Sequence, residues 1–126
     1  MTPLALLMRR EVEKVSPKTV LREAALKMRD KGVGSLMVCE GEETIGIVSE
    51  SDFVRKAMAG NLDLDDTPVE SIMSAPIISI DIDETAKEAN DLMASKAIRH
   101  LAITNRGKVV GIISVRDLLL CYKNRL

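Results

Sequence analysis

Apolar and polar positions follow two regimes along the chain, and the order of those regimes occurs twice. In "TVLREAALKMRDK" the apolar residues Val20, Ala24 and Met28 recur at helical spacing, as do Ala86, Ala89, Met93 and Ala97 around "ETAKEANDLMASK". That spacing aligns them along one helix face and predicts a helix over residues 19–31 and another over 84–96. Each is followed by two short apolar runs, "LMVCE" and "TIGIVS" in the first half, "LAIT" and "KVVGIIS" in the second. Their length and β-branched content predict strands, joined as hairpins through Gly41 and Gly107, which can take positive φ. A short strand is expected ahead of each helix, near residues 11–15 and 77–80. A final helix is expected from residue 52 to about 59 and from 117 to about 123. Thr2-Pro3 and Thr67-Pro68 suit an N-cap followed by proline in the first helical position, so a short lead-in helix opens each half. In the second half Glu70 has the spacing to complete a capping box with Thr67.

The two halves align without a gap at an offset of 65 residues, residues 2–61 on residues 67–126. The identical pairs include Thr2/Thr67, Met8/Met73, Glu23/Glu88, Ala24/Ala89, Met28/Met93, Leu36/Leu101, Gly46/Gly111, Ser49/Ser114 and Asp52/Asp117. Apolar substitutions such as Val15/Ile80, Val38/Ile103 and Val48/Ile113 extend the match. A repeat of this length is one supersecondary unit used twice, burying its apolar face on its twin. The expected fold is therefore α+β: two pseudo-symmetric β-α-β-β-α repeats packed through their sheets. The first spans residues 1–61 and the second 67–126, joined by an exposed acidic linker at 62–66.

Composition narrows the function. With 46% hydrophobic residues but only Phe53 and Tyr122 aromatic, the core is aliphatic and no base-stacking platform for single strands exists. A net charge of −1 gives no field to recruit nucleic acid or an anionic membrane. "PLALLM" is too short for a signal core, and no apolar run approaches the roughly 18 residues of a membrane span. Cys39 and Cys121 form no metal-ligand spacing and suit a reducing, cytoplasmic setting. His100 is the only histidine, and no Ser or Cys has a base and orienter readable from sequence, so catalysis is not expected. Asp63, Asp65 and Asp66 lack the spacing and glycine of a calcium loop. Arg9 and Arg10 read as a solvated basic pair, with a place near the dimer or ligand cleft as the alternative.

The chemistry concentrates in one turn made twice, "GIVSESD" at 46–52 and "GIISVRD" at 111–117. Ser49 and Ser114 stand where an N-cap belongs, with Asp52 and Asp117 three residues on. That arrangement alone stabilises a helix start by about 1 kcal/mol. The same geometry also suits a ligand. A helix start is a seat for phosphate, and a carboxylate beside it can accept both hydroxyls of a ribose diol. Apolar strands on either side could hold an adenine.

A tandem β-α-β-β-α repeat, each copy ending in Gly-apolar-apolar-Ser-x-x-Asp, resembles a pair of CBS domains, the Bateman module. The likeness extends to "VESIMSAPIISI" and "IRHLAIT" and covers essentially the whole chain. The resemblance implies a regulatory module that binds AMP, ADP, ATP, S-adenosylmethionine or another adenosyl compound in clefts between the repeats. It implies a homodimer, a flat disc of four repeats, and an effector protein as a further partner. No obligatory cofactor or metal is implied. The family motif maps onto Ser49 and Asp52 and onto Ser114 and Asp117, and the basic pair that often meets phosphate maps onto Arg99 and His100. Arg116, Ile77 and Ile78 complete the expected contacts. The first copy has Gly34, Ser35, Glu50 and Ser51 in place of Arg99, His100, Val115 and Arg116, so the second copy is expected to hold the better anion site. Met37 and Ala102 stand where the family often has Pro, and Ser replaces the commoner Thr at both turns. The alternative is a structural dimerisation module with no small-molecule ligand. For the dimer, the run Leu118, Leu119, Leu120, Cys121 and Tyr122 supplies an apolar surface.

Overall fold

The computed structural model describes residues 2–124, with the side chains of 121–124 outside that description. Helices and strands mix in two three-stranded sheets. In the first, β1 (Lys14–Val15) runs parallel to β2 (Ser35–Glu40), which pairs antiparallel with β3 (Glu43–Ser49). In the second, β4 (Ser79–Asp81) runs parallel to β5 (His100–Asn105), which pairs antiparallel with β6 (Lys108–Ser114). The crossovers from β1 to β2 and from β4 to β5 carry α2 (Leu21–Lys31) and α4 (Ala86–Lys96). Both hairpins close as the glycines required, with Gly41 at φ 63° and Gly107 at φ 78°. The expected β-α-β-β order is thus present in both halves.

The last helices differ. α5 (Val115–Asn124) is regular, whereas α3 (Glu50–Asp52) opens directly into a π-helical stretch, Phe53–Met58. There the Ala59 amide bonds back to the Val54 carbonyl. The lead-in helix α1 (Leu4–Leu7) begins one residue later than the Thr-Pro signal predicts, with Pro3 as its N-cap. The second lead-in forms one 3₁₀ turn, Val69–Ser71. Its expected capping box does not form. Glu70 instead accepts a hydrogen bond from Lys18 at 2.7 Å, and the Thr67 carbonyl receives the Leu21 amide at 2.9 Å.

These contacts reflect how the core is assembled. The chain divides into two compact units, one joining the segment up to Val12 to the chain from Ile78, the other spanning Glu13–Ile77. In the first unit Leu4 and Met8, from the first lead-in, bury against Ile80, Ala89, Met93, Leu101, Ile103, Ile113 and Leu118 of the second repeat. In the second unit Val69 and Ile72, from the second lead-in, bury against Leu21, Ala24, Met28, Leu36, Val38 and Val48 of the first. Each repeat therefore completes the core of the other. Backbone bridges fasten the exchange: Arg9 pairs with Ile112, and Ser74 with Ile47, two equivalent positions.

Gly46 and Gly111 are identical between the repeats because the lead-ins cross directly over them. A Cβ on Gly111 would lie 2.7 Å from the Met8 sulfur and 2.8 Å from the Arg9 carbonyl oxygen. A Cβ on Gly46 would lie 2.8 Å from the Ser74 carbonyl oxygen and 2.9 Å from the Met73 sulfur. The linker also takes part in the fold. Its Leu64 carbonyl accepts the Arg22 amide at 2.9 Å, satisfying one of the donors that the start of α2 leaves open. Asp65 receives two hydrogen bonds from the Arg22 guanidinium.

Candidate functional site

Both Ser-x-x-Asp turns form where a strand passes into a helix. At the end of β6 the Ser114 amide donates to Asp117 Oδ2 at 2.9 Å, and the Ser114 hydroxyl donates to the same oxygen at 3.0 Å. In return the Asp117 amide donates to Ser114 Oγ at 3.2 Å. At the end of β3 the same three contacts join Ser49 and Asp52 at 2.9, 3.1 and 3.4 Å. Capping is thus realised in both copies, and it consumes one carboxylate oxygen, Oδ2. The other, Oδ1, is left to face a cation.

That cation comes by different routes. Asp117 Oδ1 lies 3.9 Å from Arg9 Nε, carried on the exchanged lead-in. Asp52 Oδ1 lies 3.2 Å from Lys56 Nζ, one turn further along its own helix. Lys56 Nζ also donates to the Ile72 carbonyl at 3.0 Å. Neither cation has a counterpart in the other repeat, since Ser74 stands opposite Arg9 in the alignment and Cys121 opposite Lys56. Both carboxylates are largely shielded, with side chains 12% exposed at Asp52 and 11% at Asp117.

The remaining expected residues surround the second turn unevenly. His100 begins β5 directly opposite Ser114 and is half-buried. Arg99 is exposed, and its carbonyl accepts the Val115 amide at 3.0 Å, so backbone ties it to the start of α5. Arg116 is exposed in the first turn of that helix. Ile78 is half-buried against the core of its unit, and its carbonyl accepts the Ala102 amide. Ile77 is half-buried and belongs to the other unit. In the first copy the Gly34 carbonyl accepts the Glu50 amide, and Ser35 pairs with Ser49 across the sheet.

Arg9 and Arg10 are both exposed, as expected of a solvated pair, and the crossing of the lead-in onto β6 also brings Arg9 to 3.9 Å from Asp117. Lys56 was not expected at the turn, although Asp52 and Lys56 have the i, i+4 spacing that brings opposite charges together on a helix. Among the described residues no group of three or more His, Cys, Asp or Glu side chains could hold a metal ion. Among them, too, no helix is long and apolar enough to cross a membrane.

Comparison with known proteins agrees with this architecture. The family model of the CBS domain matches residues 5–59 and again residues 69–124. A protein of Methanopyrus kandleri is 39% identical over 113 residues, covering 88% of this chain and 58% of that protein. The CBS domain-containing protein YhcV of Bacillus subtilis is 32% identical over 108 residues, covering 86% of this chain and 76% of YhcV. This chain spans less than two thirds of the Methanopyrus protein and of a relative from Acidianus ambivalens, at 58% and 63% of their lengths. Among solved structures, a conserved protein from Pyrococcus horikoshii superposes with a TM-score of 0.90 at 33% identity, over 98% of this chain and 94% of that one. A CBS-domain protein from Pyrobaculum aerophilum, complexed with AMP, superposes with a TM-score of 0.83 at 27% identity, over 98% and 99% of the two chains. Two Ser-x-x-Asp turns on a repeated β-α-β-β frame, matched twice along the chain, make this protein a member of the CBS-domain family with two CBS domains in tandem.

Proposed function

We propose that the chain is a ligand-sensing regulatory module that binds an adenine nucleotide or another adenosyl compound and passes the bound state to a partner protein. The supporting observation is the Asp117 turn: capping fixes the carboxylate through Oδ2, and Oδ1 stays open to a ligand beside the cation Arg9. A carboxylate so held suits a ribose diol, and Arg9, Arg99, His100 and Arg116 supply positive charge for phosphate. The AMP complex of the Pyrobaculum relative supports the same ligand class. No step of this reading requires catalysis. The protein is proposed to act in the cytoplasm as a homodimer, in which the exposed leucines of α1 and α5 are covered.

Isothermal titration with AMP, ADP, ATP, NADH and S-adenosylmethionine tests the reading. Charge-assisted hydrogen bonds contribute about 1.5–3 kcal/mol, so Asp117→Ala should weaken binding by roughly 10- to 150-fold. A second reading follows from the caps themselves, since both turns are complete without a ligand. Under it the chain is a structural dimerisation module, and Asp117→Ala lowers stability while the wild type binds none of the panel.

A further inference from the structure

The two turns are alike in sequence but not in what their free oxygens can accept. An ionised carboxylate has about four lone-pair positions. In both copies the capping serine fills two of them on Oδ2. A diol binding to one carboxylate needs two more. At Asp117 the only ion pair among the described residues is with Arg9, whose Nε stands 3.9 Å from Oδ1, beyond hydrogen-bond distance, so no described residue fills either position on that oxygen. At Asp52 the Lys56 ammonium stands closer, ion-paired with Oδ1 at 3.2 Å, and crowds the approach to that oxygen.

The two cations also differ in how firmly they are held. Lys56 is fixed at its far side by the Ile72 carbonyl at 3.0 Å, and Ile72 is buried in the core of the same unit. Moving the ammonium aside breaks a charge-assisted hydrogen bond and an ion pair against a carboxylate that is 12% exposed. Swinging the Arg9 guanidinium aside breaks no hydrogen bond to Asp117.

We propose that Lys56 is a built-in cationic plug: it occupies the outer oxygen of Asp52 that a ribose diol would use, so each chain takes one adenosyl ligand, at the Asp117 turn, rather than two. This rests on the adenosyl reading above and adds to it a stoichiometry and a residue that sets it. Lys56 itself touches no ligand. It acts by holding the Asp52 carboxylate closed.

Calorimetric titration of AMP into the wild type and Lys56→Met decides the matter, because methionine keeps the apolar stem and removes the charge. The expected stoichiometry is one AMP per chain for the wild type and two for Lys56→Met. Lys56→Gln, which keeps a donor for the Ile72 carbonyl, is a second variant with the same expectation, and circular dichroism checks that both are folded. Adding Asp117→Ala should weaken the single site of the wild-type background roughly 10- to 150-fold but leave one unweakened AMP site per chain in the Lys56→Met background. Two sites in the wild type, or one site in both folded Lys56 variants, overturns the plug and leaves the adenosyl reading intact. No binding by wild type or variants overturns both.

Discussion

Replacing Gly111 by alanine tests how the core is assembled, because its effect should have the wrong sign for a strand. Glycine inside a strand is ordinarily destabilising, and a change to alanine should add roughly 0.5–1 kcal/mol of stability. Gly111 sits in β6 under the crossing lead-in, where a new Cβ would come within 2.8 Å of the Arg9 carbonyl oxygen and 2.7 Å of the Met8 sulfur. The methionine can bend away, but the carbonyl is part of the backbone and is tied to Ile112. The Arg9 amide donates to the Ile112 carbonyl at 2.8 Å, and the Ile112 amide donates to the Arg9 carbonyl at 3.0 Å. Relief of the clash therefore moves the lead-in as a whole. Overpacking of this kind costs about 1–3 kcal/mol, and weakening the bridge adds about 1 kcal/mol. The expected loss is about 2–4 kcal/mol, or a fall in Tm of roughly 8–15 °C for a chain of this size. Differential scanning calorimetry of wild type and Gly111→Ala measures it directly. A variant as stable as the wild type, or more stable, would refute the exchanged core.

Three further outcomes follow from single residues. Ala97 ends α4 in the left-handed region at φ 54°, where its counterpart in α2 is Gly32 at φ 65°. Ala97→Gly should therefore stabilise the protein by about 1 kcal/mol, read from the urea midpoint, and a loss of stability would contradict the strain. The hydrogen bond from Arg22 holds the Asp65 carboxyl below the usual carboxylate range. Because the folded value is the lower one, this contact stabilises fully above about pH 4 and is lost as the pH falls through the folded value. The urea midpoint of Asp65→Asn should thus trail the wild type at pH 6 and match it in strong acid; a gap that persists in acid would refute the pairing. Leu119 and Leu120 on α5 are 62% and 51% exposed. Leu119→Ser with Leu120→Ser should shift sedimentation from dimer to monomer at micromolar concentration, and a wild type that is already monomeric would refute the dimer.

The elements themselves were legible because local chemistry decides them. Apolar runs bounded by Gly41 and Gly107 became hairpins, helical spacing around Met28 and Met93 became α2 and α4, and Ser-x-x-Asp became a cap in both turns. Tertiary pairing was not legible. The apolar positions Leu4 and Met8 match Val69 and Met73, so either lead-in satisfies either core, and periodicity cannot say which is used. The exchange explains what was misread. Thr67 and Glu70 have the spacing of a capping box, but the Thr67 amide donates to the Asp63 carbonyl at 3.0 Å and Glu70 accepts from Lys18. Cys121 and Tyr122, part of the expected dimer surface, lie outside the described side chains.

The exchanged lead-ins also set a timetable for synthesis. The unit spanning Glu13–Ile77 is one continuous stretch, so all of it has been translated before most of the second repeat exists. The other unit closes only when the segment ending at Val12 meets strands translated about a hundred residues later. At about 5–20 residues per second, Leu4 waits roughly 6–23 s between its own synthesis and that of Leu118. During that interval Leu4 and Met8 lack the core they finally enter, and closing so long a loop is the slower kind of contact. Leu4 and Met8 precede their partners in the chain and are used last, so they are the ones a chaperone has most time to meet.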